Sequence, residues 1–349
     1  MKNKSYVVWN NKGGVGKSTI TFQMASVYAI KNPDKDVVVI DMCPQANCSM
    51  MLLGGGNTGE ENLRSLISQK TPKSVVGYIS EFFTEDKQKS ISEYVVKVSE
   101  KNKMQPENIY LLSGDGNLEL IAPFISKRAE IDPISEKDEP WKKIHLIMKK
   151  CTEQSINQGR ESVFFLDTNP SFSVYTQMAI LAGDYLLVPI NADDSSIFAI
   201  SGLFDLVFGF SGEHPVYGKY TFARRVKDNK MNAPKIYLLL GNRFTQKVGA
   251  AHAFKALSKE ATRKMYEVYK SNPVWFRDPS IKINDRDGFE KEFSIELRDF
   301  NSAGVISSNK GIPLIKMTAV HEVYGEDIQV SKEQREKCSR VIEEIVSRL

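Results

Sequence analysis

The stretch Asn10-Asn11-Lys12-Gly13-Gly14-Val15-Gly16-Lys17-Ser18-Thr19 decides the fold of this chain. It follows an apolar run, Tyr6 to Trp9, and precedes a helical pattern from Ile20 to Ile30. A glycine-rich loop between a strand and a helix is the setting of a phosphate-binding loop, where backbone N–H groups and the positive end of the helix dipole surround phosphate oxygens. The alternative, a glycine-rich turn that is basic by chance, is disfavoured by the strand and helix on either side.

This loop offers one group for each part of a bound nucleotide. We expect Lys17 to neutralise the β- and γ-phosphates and the Ser18 hydroxyl to hold Mg²⁺. The usual pattern, G-x-x-x-x-G-K-[ST], begins with glycine, whereas Asn11 occupies that position here. The sequence predicts binding of Mg²⁺-ATP, and the predicted nucleotide-binding residues of the loop are Lys12, Gly13, Gly14, Val15, Gly16, Lys17, Ser18 and Thr19.

Length and composition are those of an ordinary globular protein. The 349 residues are 41% hydrophobic and 26% charged with a net charge of +4, so they could hold one large α/β domain or two small ones. This mild charge neither requires nor excludes nucleic acid as a partner. The four cysteines show no C-x-x-C pair or zinc spacing, and no apolar stretch approaches the ~20 residues of a membrane span. We therefore expect reduced thiols, no membrane span and a cytoplasmic location.

Strand-like and helical segments alternate along the chain, which predicts an α/β fold with a doubly wound, mostly parallel sheet flanked by helices. Short apolar runs rich in β-branched residues are typical of strands that are covered on both faces. Ligands of such sheets bind at the carboxyl ends of the strands, where Asp41 and Asp167 follow two of the runs. The predicted strands after the first are residues 37–40, 108–112, 163–166, 185–190 and 236–240.

The two-lysine loop resembles the deviant phosphate-binding loop of the ParA/MinD superfamily of ATPases, closest to the ParA/Soj-type partition ATPases. Asp41-Met42-Cys43-Pro44-Gln45 resembles the family switch D-x-D-P-Q, and Asp167-Thr168-Asn169-Pro170 resembles the D-x-x-P end of its Walker B strand. Taken alone, either aspartate could equally be a helix cap or a turn residue. Their order behind the loop favours metal and water roles.

The resemblance implies a P-loop ATPase that forms an ATP-dependent homodimer, in which Lys12 reaches the partner's nucleotide. Cys43 stands where the family switch commonly carries a second aspartate, which helps to position the attacking water. A thiol is a weak acceptor and is mostly neutral near pH 7, so we expect slow hydrolysis. The resemblance also implies an adenine contact from Asn242. The implied catalytic residues are Lys12, Lys17, Asp41 and Asp167, and the implied Mg²⁺ ligands are Ser18, Asp41 and Asp167.

Basic residues gather in the second half of the chain. Residues 211–233 carry five of them, and a helical segment from Gly249 to Lys270 places basic residues four apart, hence on one face. A basic stripe is commonly just a solvated helix face. Because ParA-type ATPases bind DNA nonspecifically through basic residues, the resemblance implies double-stranded DNA as a partner, through contacts that weaken with salt. The predicted DNA contacts are Arg224, Arg225, Lys255 and Lys259.

We predict a single P-loop ATPase domain over residues 1–349. Relative to the shorter family core it carries insertions at about 54–106, 211–233 and 271–305, and an alternating run in the last predicts a hairpin or an irregular insertion. Gly311 to Leu314 resembles the last strand of the family. The C-terminal helix, 331–349, mixes glutamates with its basic residues and has no aromatic residue. This composition favours docking on the core over the membrane anchor of MinD-like members.

Three classes of function follow from the resemblance. We favour a nucleoid-associated ATPase that partitions or positions a cargo with a ParB-like or other stimulating partner protein. The alternatives are a MinD-like membrane-associated positioning ATPase and a regulatory or defence ATP switch with slow hydrolysis. ATP-dependent DNA retardation would distinguish the first class, and lipid binding the second. The sequence does not specify whether the cargo is a plasmid, a chromosome or a protein complex.

Overall fold

The structure is a computed structural model that describes residues 3–84, 90–135, 137–191, 193–244, 248–298, 300–323 and 325–349. Within these ranges, the side chains of residues 243–244, 248–256, 298, 301, 323 and 334 lie outside the description. The strands are β1 (Lys4–Val8), β2 (Asp36–Met42), β3 (Val96–Lys97), β4 (Ile109–Leu112), β5 (Ser162–Thr168), β6 (Tyr185–Asn191), β7 (Lys235–Phe244), β8 (Ser294–Arg298), β9 (Val320–Val323) and β10 (Glu326–Gln329).

Eight of these strands form one sheet in the order β3-β4-β2-β5-β1-β6-β7-β8. Every neighbouring pair is parallel except β3 and β4. The predicted doubly wound, mostly parallel sheet is therefore confirmed. Strands β9 and β10 form a separate antiparallel pair.

Helices cover both faces of the sheet. They are α1 (Lys17–Lys31), α2 (Asn47–Leu52), α3 (Gly56–Ile67), α4 (Val75–Thr84), α5 (Asn117–Ala129), α6 (Pro140–His145), α7 (Ile147–Thr152), α8 (Val174–Ala182), α9 (Asp194–Phe208), α10 (Phe222–Asp228), α11 (Val248–Ser271), α12 (Arg286–Phe293), α13 (Asn301–Lys310) and α14 (Lys332–Arg348).

Two hydrophobic cores lie on the two faces of the sheet. Successive residues of a strand point to opposite faces, so Val37 and Val39 of β2 belong to one core and Val38 and Ile40 to the other. The first core contains residues of α1, α2, α13 and α14, and the second contains residues of α4 to α12. Burial on both faces explains the continuous apolar runs in the sequence.

Helix α14 packs on the core through its apolar side. Cys338, Ile342 and Ile345 are buried, and the helix contacts α1 and β8. At its end, the Leu349 carbonyl oxygen accepts a hydrogen bond of 2.8 Å from the hydroxyl of Tyr6. Among the described residues, no helix has both the length and the apolar character required to cross a membrane.

Residues 271–305 differ from the predicted hairpin. They contain α12 and β8, and β8 joins the main sheet in parallel with β7. The alternating pattern arises because Ile295 and Leu297 are buried while the Glu296 side chain between them is exposed, as in an edge strand covered on one face. The predicted last strand is also wrong, because Leu314–Lys316 is a 3₁₀ turn. Strand β8 occupies the place beside β7 instead.

Candidate functional site

The glycine loop joins β1 to α1 at the carboxyl edge of the sheet. Gly14 and Gly16 adopt positive φ angles of 70° and 84°, which glycine reaches without steric cost. A Cβ atom on Gly16 would lie 2.3 Å from the Asn242 side-chain nitrogen. That nitrogen donates a hydrogen bond of 2.9 Å to the Val15 carbonyl oxygen. Asn242, predicted to contact adenine, therefore lies against the loop and fixes its path.

Lys17 is buried inside the loop. Its ammonium donates to the carbonyl oxygens of Lys12, at 2.9 Å, and Asn10, at 3.3 Å. Burial lowers the pKa of Lys17 and outweighs the opposing effect of the Asp167 carboxylate. The charged form would gain from an anion in the loop, so this side chain is suited to meet phosphate.

Ser18 and Asp167 are in direct contact. The Ser18 hydroxyl donates to Asp167 Oδ2 at 2.6 Å, and Asp167 lies at the end of β5 opposite Asp41 of β2 in the sheet register. Hydroxyl and carboxylate oxygens are the hard ligands that Mg²⁺ prefers, together with water and substrate phosphate. Ser18 and Asp167 therefore fit the Mg²⁺ site predicted from the sequence.

Asp41 organises the switch turn that follows β2. Its carboxylate accepts hydrogen bonds from the Ser49 backbone N–H (2.9 Å), the Ser49 hydroxyl (2.7 Å) and the Cys43 backbone N–H (3.1 Å). The Ser49 hydroxyl oxygen in turn accepts from the backbone N–H of Gly114, at 2.9 Å. The Asp41 carboxylate thus binds groups of the switch turn, whereas the Asp167 carboxylate binds Ser18 of the glycine loop.

The two aspartates are fully buried side by side. Burial raises the pKa of Asp167, and the neighbouring charge of Asp41 raises it further. Burial also raises the pKa of Asp41, although the hydrogen bonds from Ser49 and Cys43 oppose that effect. A divalent cation between the strand ends and the loop would stabilise the ionised forms.

Cys43 is a buried thiol beside these carboxylates. Burial and the charges of Asp41 and Asp167 raise the pKa of Cys43 to about 12. The side chain is therefore neutral at physiological pH. It lines the cavity next to the loop, at the position where the switch pattern D-x-D-P-Q has its second aspartate.

Lys12 turns away from Lys17 and binds Asp193 of the same chain. The ammonium forms an ion pair with both carboxylate oxygens and donates to the Ser196 hydroxyl at 3.2 Å. Asp193 also caps α9, because its Oδ1 accepts from the Ser196 backbone N–H at 2.8 Å. Burial opposes ionisation of Asp193, but the bonds from Lys12 and Ser196 lower its pKa to about 2.

A cavity of about 660 Å³ opens beside the loop, within the range of sites that hold a small ligand. Loop residues 13–19, the switch residues Cys43, Gln45 and Asn47, and residues 168–170 line one part of it. Met50, Met51, Gly56 and Ser308 line the rest. Sequence reasoning missed these four, which are small or apolar residues of α2, α3 and α13 without a motif of their own.

The structure separates the predicted DNA contacts into two kinds. Arg224 forms ion pairs with Glu213 at 2.9 Å and Asp228 at 2.8 Å, and Arg225 binds Glu130 through two nitrogens. Carboxylates of the same chain thus compete with phosphate for both arginines. Lys259 on α11 is exposed, and the side chain of Lys255 lies outside the described residues.

Fold and site together define a protein with the P-loop NTPase fold, as the glycine-rich loop between β1 and α1 predicts. A sequence-family model described as an AAA domain matches residues 3–211, which is more than half of the chain. The chain belongs to this AAA domain family. The matched range includes the loop, both aspartates and Asp193.

The chain is similar to proteins of several organisms. An uncharacterized protein of Methanocaldococcus jannaschii is 24% identical over 202 residues, which cover 57% of this chain and 62% of that protein, so the match spans less than two thirds of its relative. The structure of Cyanothece McdA in complex with ATP shares 13% identity over 99% of this chain and 97% of that chain, with a TM-score of 0.57. A Borrelia burgdorferi protein assigned to plasmid partition, bound to AMPPNP, shares 15% identity over 100% of both chains, with a TM-score of 0.54.

Proposed function

We propose that this chain is a Mg²⁺-dependent ATPase that dimerises on binding ATP, binds double-stranded DNA nonspecifically and positions or partitions a cargo. The observation that carries the proposal is that the side chains of two lysines in one loop point to different places. Lys17 is buried at the centre of the loop, whereas Lys12 points out of it to Asp193. One cation is therefore placed for phosphate, and the other is held in a partly exposed ion pair that the phosphate of a partner could replace.

The chain's own groups account for nucleotide binding. Lys17 and the backbone N–H groups of residues 13–19 would hold the phosphates, as in other phosphate-binding loops. Ser18 and Asp167 would hold Mg²⁺, which neutralises phosphate charge when bound. Asp41 would act through the switch turn, because its oxygens accept from Ser49 and Cys43.

Slow hydrolysis follows from the switch. A neutral thiol at Cys43 cannot orient an attacking water as a carboxylate does. Gln45 lines the same cavity and carries an acceptor, and the Asp167 carboxylate contacts Ser18 of the loop. The Cys43 observation also supports the second candidate, a regulatory or defence ATP switch with a long-lived ATP state.

In the proposed dimer, the Lys12 side chain must release Asp193 of its own chain before it can reach the nucleotide of the partner. Its ion pair with Asp193 is partly exposed, with 20% and 43% of the two side chains accessible, and such pairs contribute only up to about 1 kcal/mol. Phosphate carries more charge than one carboxylate and can replace it. We propose that the ATP of a second copy competes for Lys12 and so couples nucleotide to assembly.

DNA binding and cargo are inferred from relatives and charge. Structural neighbours include a protein assigned to plasmid partition, and the exposed Lys259 lies on the long helix α11. We propose one ATPase unit over 1–349 with insertions at about 54–106, 211–233 and 271–305, located at the nucleoid in the cytoplasm and stimulated by a ParB-like or other partner. A MinD-like membrane role gains no support from α14, whose apolar side is buried on the core.

The decisive experiment compares Lys12→Ala and Lys17→Ala with the exposed control Lys101→Ala. Calorimetry should show ATP binding lost in Lys17→Ala and retained in the other two. Light scattering with Mg²⁺-ATP should show a dimer for wild type and Lys101→Ala, and a monomer for Lys12→Ala. Unchanged ATP affinity in Lys17→Ala would refute nucleotide binding by the loop, and a normal dimer in Lys12→Ala would refute the exchange between partners.

A further inference from the structure

A second large concavity lies at the opposite edge of the sheet from the nucleotide cavity. It has a volume of about 1540 Å³ and includes the first residues of β1, β6 and β7, which are Lys4, Tyr185 and Lys235. Nucleotide sites of such sheets lie at the carboxyl ends of the strands, so this amino-edge groove is a separate feature. Its volume exceeds the range of about 300–1,000 Å³ typical of small-ligand sites.

Several lysines line the amino-edge groove. Five lysines line it against two acidic residues, Glu153 and Asp184. Lys149 binds Asp184 at 2.8 Å, while the pair of Lys235 with Asp278 is long, at 3.6 Å, and Asp278 is 98% exposed. The lysines are Lys4, Lys142, Lys149, Lys230 and Lys235. Lys142 also pairs with Glu139, at 3.0 Å, so three of the five lysines have carboxylate partners, and Lys4 and Lys230 supply the positive charge outside these pairs.

Lys230 stands at the rim in an uncommon backbone conformation. Its φ is 52°, a left-handed value that costs a side-chain-bearing residue roughly 1–2 kcal/mol and that glycine adopts freely. The residue ends the turn after α10, where the Met231 N–H donates to the Val226 carbonyl at 2.9 Å. In the part of the chain that the structure describes, Lys230 has no carboxylate partner. The dipole of α10 favours a cation after its C-terminal end. This effect alone does not explain why a lysine, rather than glycine, occupies a position with positive φ.

Apolar side chains also line the amino-edge groove. Val274 is 73% exposed, and Trp275 and Met231 lie beside it. One face of the Trp275 ring is already stacked on Phe208, with centroids 4.8 Å apart. The ring is therefore less available for stacking by a nucleic-acid base, whereas Val274 offers an open contact for an aliphatic side chain.

We propose that the amino-edge groove binds an extended acidic peptide segment of a partner protein. Carboxylates of the peptide would meet Lys230 and Lys235, and an aliphatic side chain would pack on Val274. Charge complementarity with Lys230 selects an acidic partner, and the combination of a concave shape with apolar lining residues selects a peptide over duplex DNA, whose surface is convex and uniformly charged. This site shares no lining residue with the nucleotide cavity.

The test uses a short fluorescein-labelled peptide of alternating glutamate and leucine, with fluorescence anisotropy as the readout. Lys230→Gly removes the charge and relieves the backbone conformation, so this variant should fold at least as well as wild type. We expect the variants Lys230→Gly and Val274→Glu each to weaken peptide binding by about fivefold, the scale of one exposed charge contact. The matched control Lys70→Glu, on an exposed residue outside the groove, should bind as wild type does.

Further peptides and DNA oligonucleotides test whether the groove prefers an acidic peptide or nucleic acid. A peptide of alternating glutamate and serine should bind more weakly than the leucine peptide, and an alternating lysine and leucine peptide should not bind. Equal affinity of Lys230→Gly and wild type for the acidic peptide would overturn the proposal. Binding of a single-stranded or duplex DNA oligonucleotide that depends on Lys230 and exceeds that of the peptide would also overturn it, and would assign the groove to nucleic acid.

Discussion

Lys12 and Asp193, 181 residues apart in the sequence, form an ion pair within one chain. The pair fixes the lysine that would otherwise be available to a second copy, and it joins the glycine loop to the first turn of α9. Because Asp193 also caps that helix, movement of the loop would disturb the N-terminal cap of α9. The proposed assembly would therefore compete with a contact inside the monomer.

Asp193→Asn should promote ATP-dependent dimerisation. Asparagine keeps the capping oxygen for Ser196 but removes the charge that binds Lys12. We expect dimers at a protein concentration up to about 30-fold lower than for wild type, because a two-fold dimer breaks two such pairs of about 1 kcal/mol each. Light scattering over a concentration series with Mg²⁺-ATP measures this. The neighbouring exposed variant, Asp194→Asn, should match wild type, and identical behaviour of both variants would argue that the pair does not restrain Lys12.

Cys43→Asp should accelerate hydrolysis. A carboxylate in place of the neutral thiol can orient water, and mispositioning of a nucleophile costs on the order of 100-fold in rate. Phosphate release should rise by about 10- to 100-fold, while Cys43→Ala should stay at the wild-type rate. If Cys43→Asp binds ATP normally and turns over no faster than Cys43→Ala, the thiol is not what limits hydrolysis.

Asp167→Asn should change how stability depends on pH. The folded state raises the pKa of Asp167 above its ordinary 3.8, so its contribution to stability is present below 3.8 and lost as pH rises through the raised value. A difference of one in pKa between the folded and unfolded states corresponds to about 1.4 kcal/mol of stability. Without nucleotide, the variant should therefore unfold at a higher temperature than wild type at about pH 8, and the advantage should shrink at about pH 4. Thermal unfolding across this range tests the direction of the effect, with the exposed Asp34→Asn as control.

Lys259→Glu should weaken DNA binding more than Arg224→Glu does. Lys259 is exposed, whereas the Arg224 charge is already matched by Glu213 and Asp228. A phosphate contact of Lys259 would also steepen the salt dependence, so its reversal should lower the slope of log affinity against log salt by about one. Retardation of duplex DNA by the ATP form at several salt concentrations measures both. An equal loss in the two variants would contradict this ranking, and no retardation of wild type at low salt would remove DNA as a partner.

Local patterns predicted the loop and the strand ends well. The contact between Ser18 and Asp167 follows from two motifs and the parallel order of the sheet, because adjacent strands end at one edge. The partners of Lys12 and Asp41 could not be predicted in the same way. Both bonds depend on side-chain directions across loops, and Ser49 and Asp193 belong to segments whose sequence signals only a turn and a helix cap.

Charge patterns predicted less than apolar patterns did. In the sequence, the basic cluster of residues 211–233 has few acidic residues near it. In the structure, however, Arg225 binds Glu130, which lies 95 residues away along the chain. Likewise, alternation in residues 293–297 correctly indicates a strand, but pairing with β7 rather than within a hairpin depends on contacts beyond any local window.

The central position of β1 has a consequence for how the chain is made. Its two neighbours in the sheet are β5 and β6, which begin at Ser162 and Tyr185. At a synthesis rate of about 5–20 residues per second, β1 waits roughly ten to forty seconds for both of them. The glycine loop leaves the ribosome before Asp167 and Asp193, which emerge with those later strands. Nucleotide can therefore assist only the closing stage of folding, and a nascent chain that has not yet reached β6 presents an unpaired hydrophobic strand that requires protection.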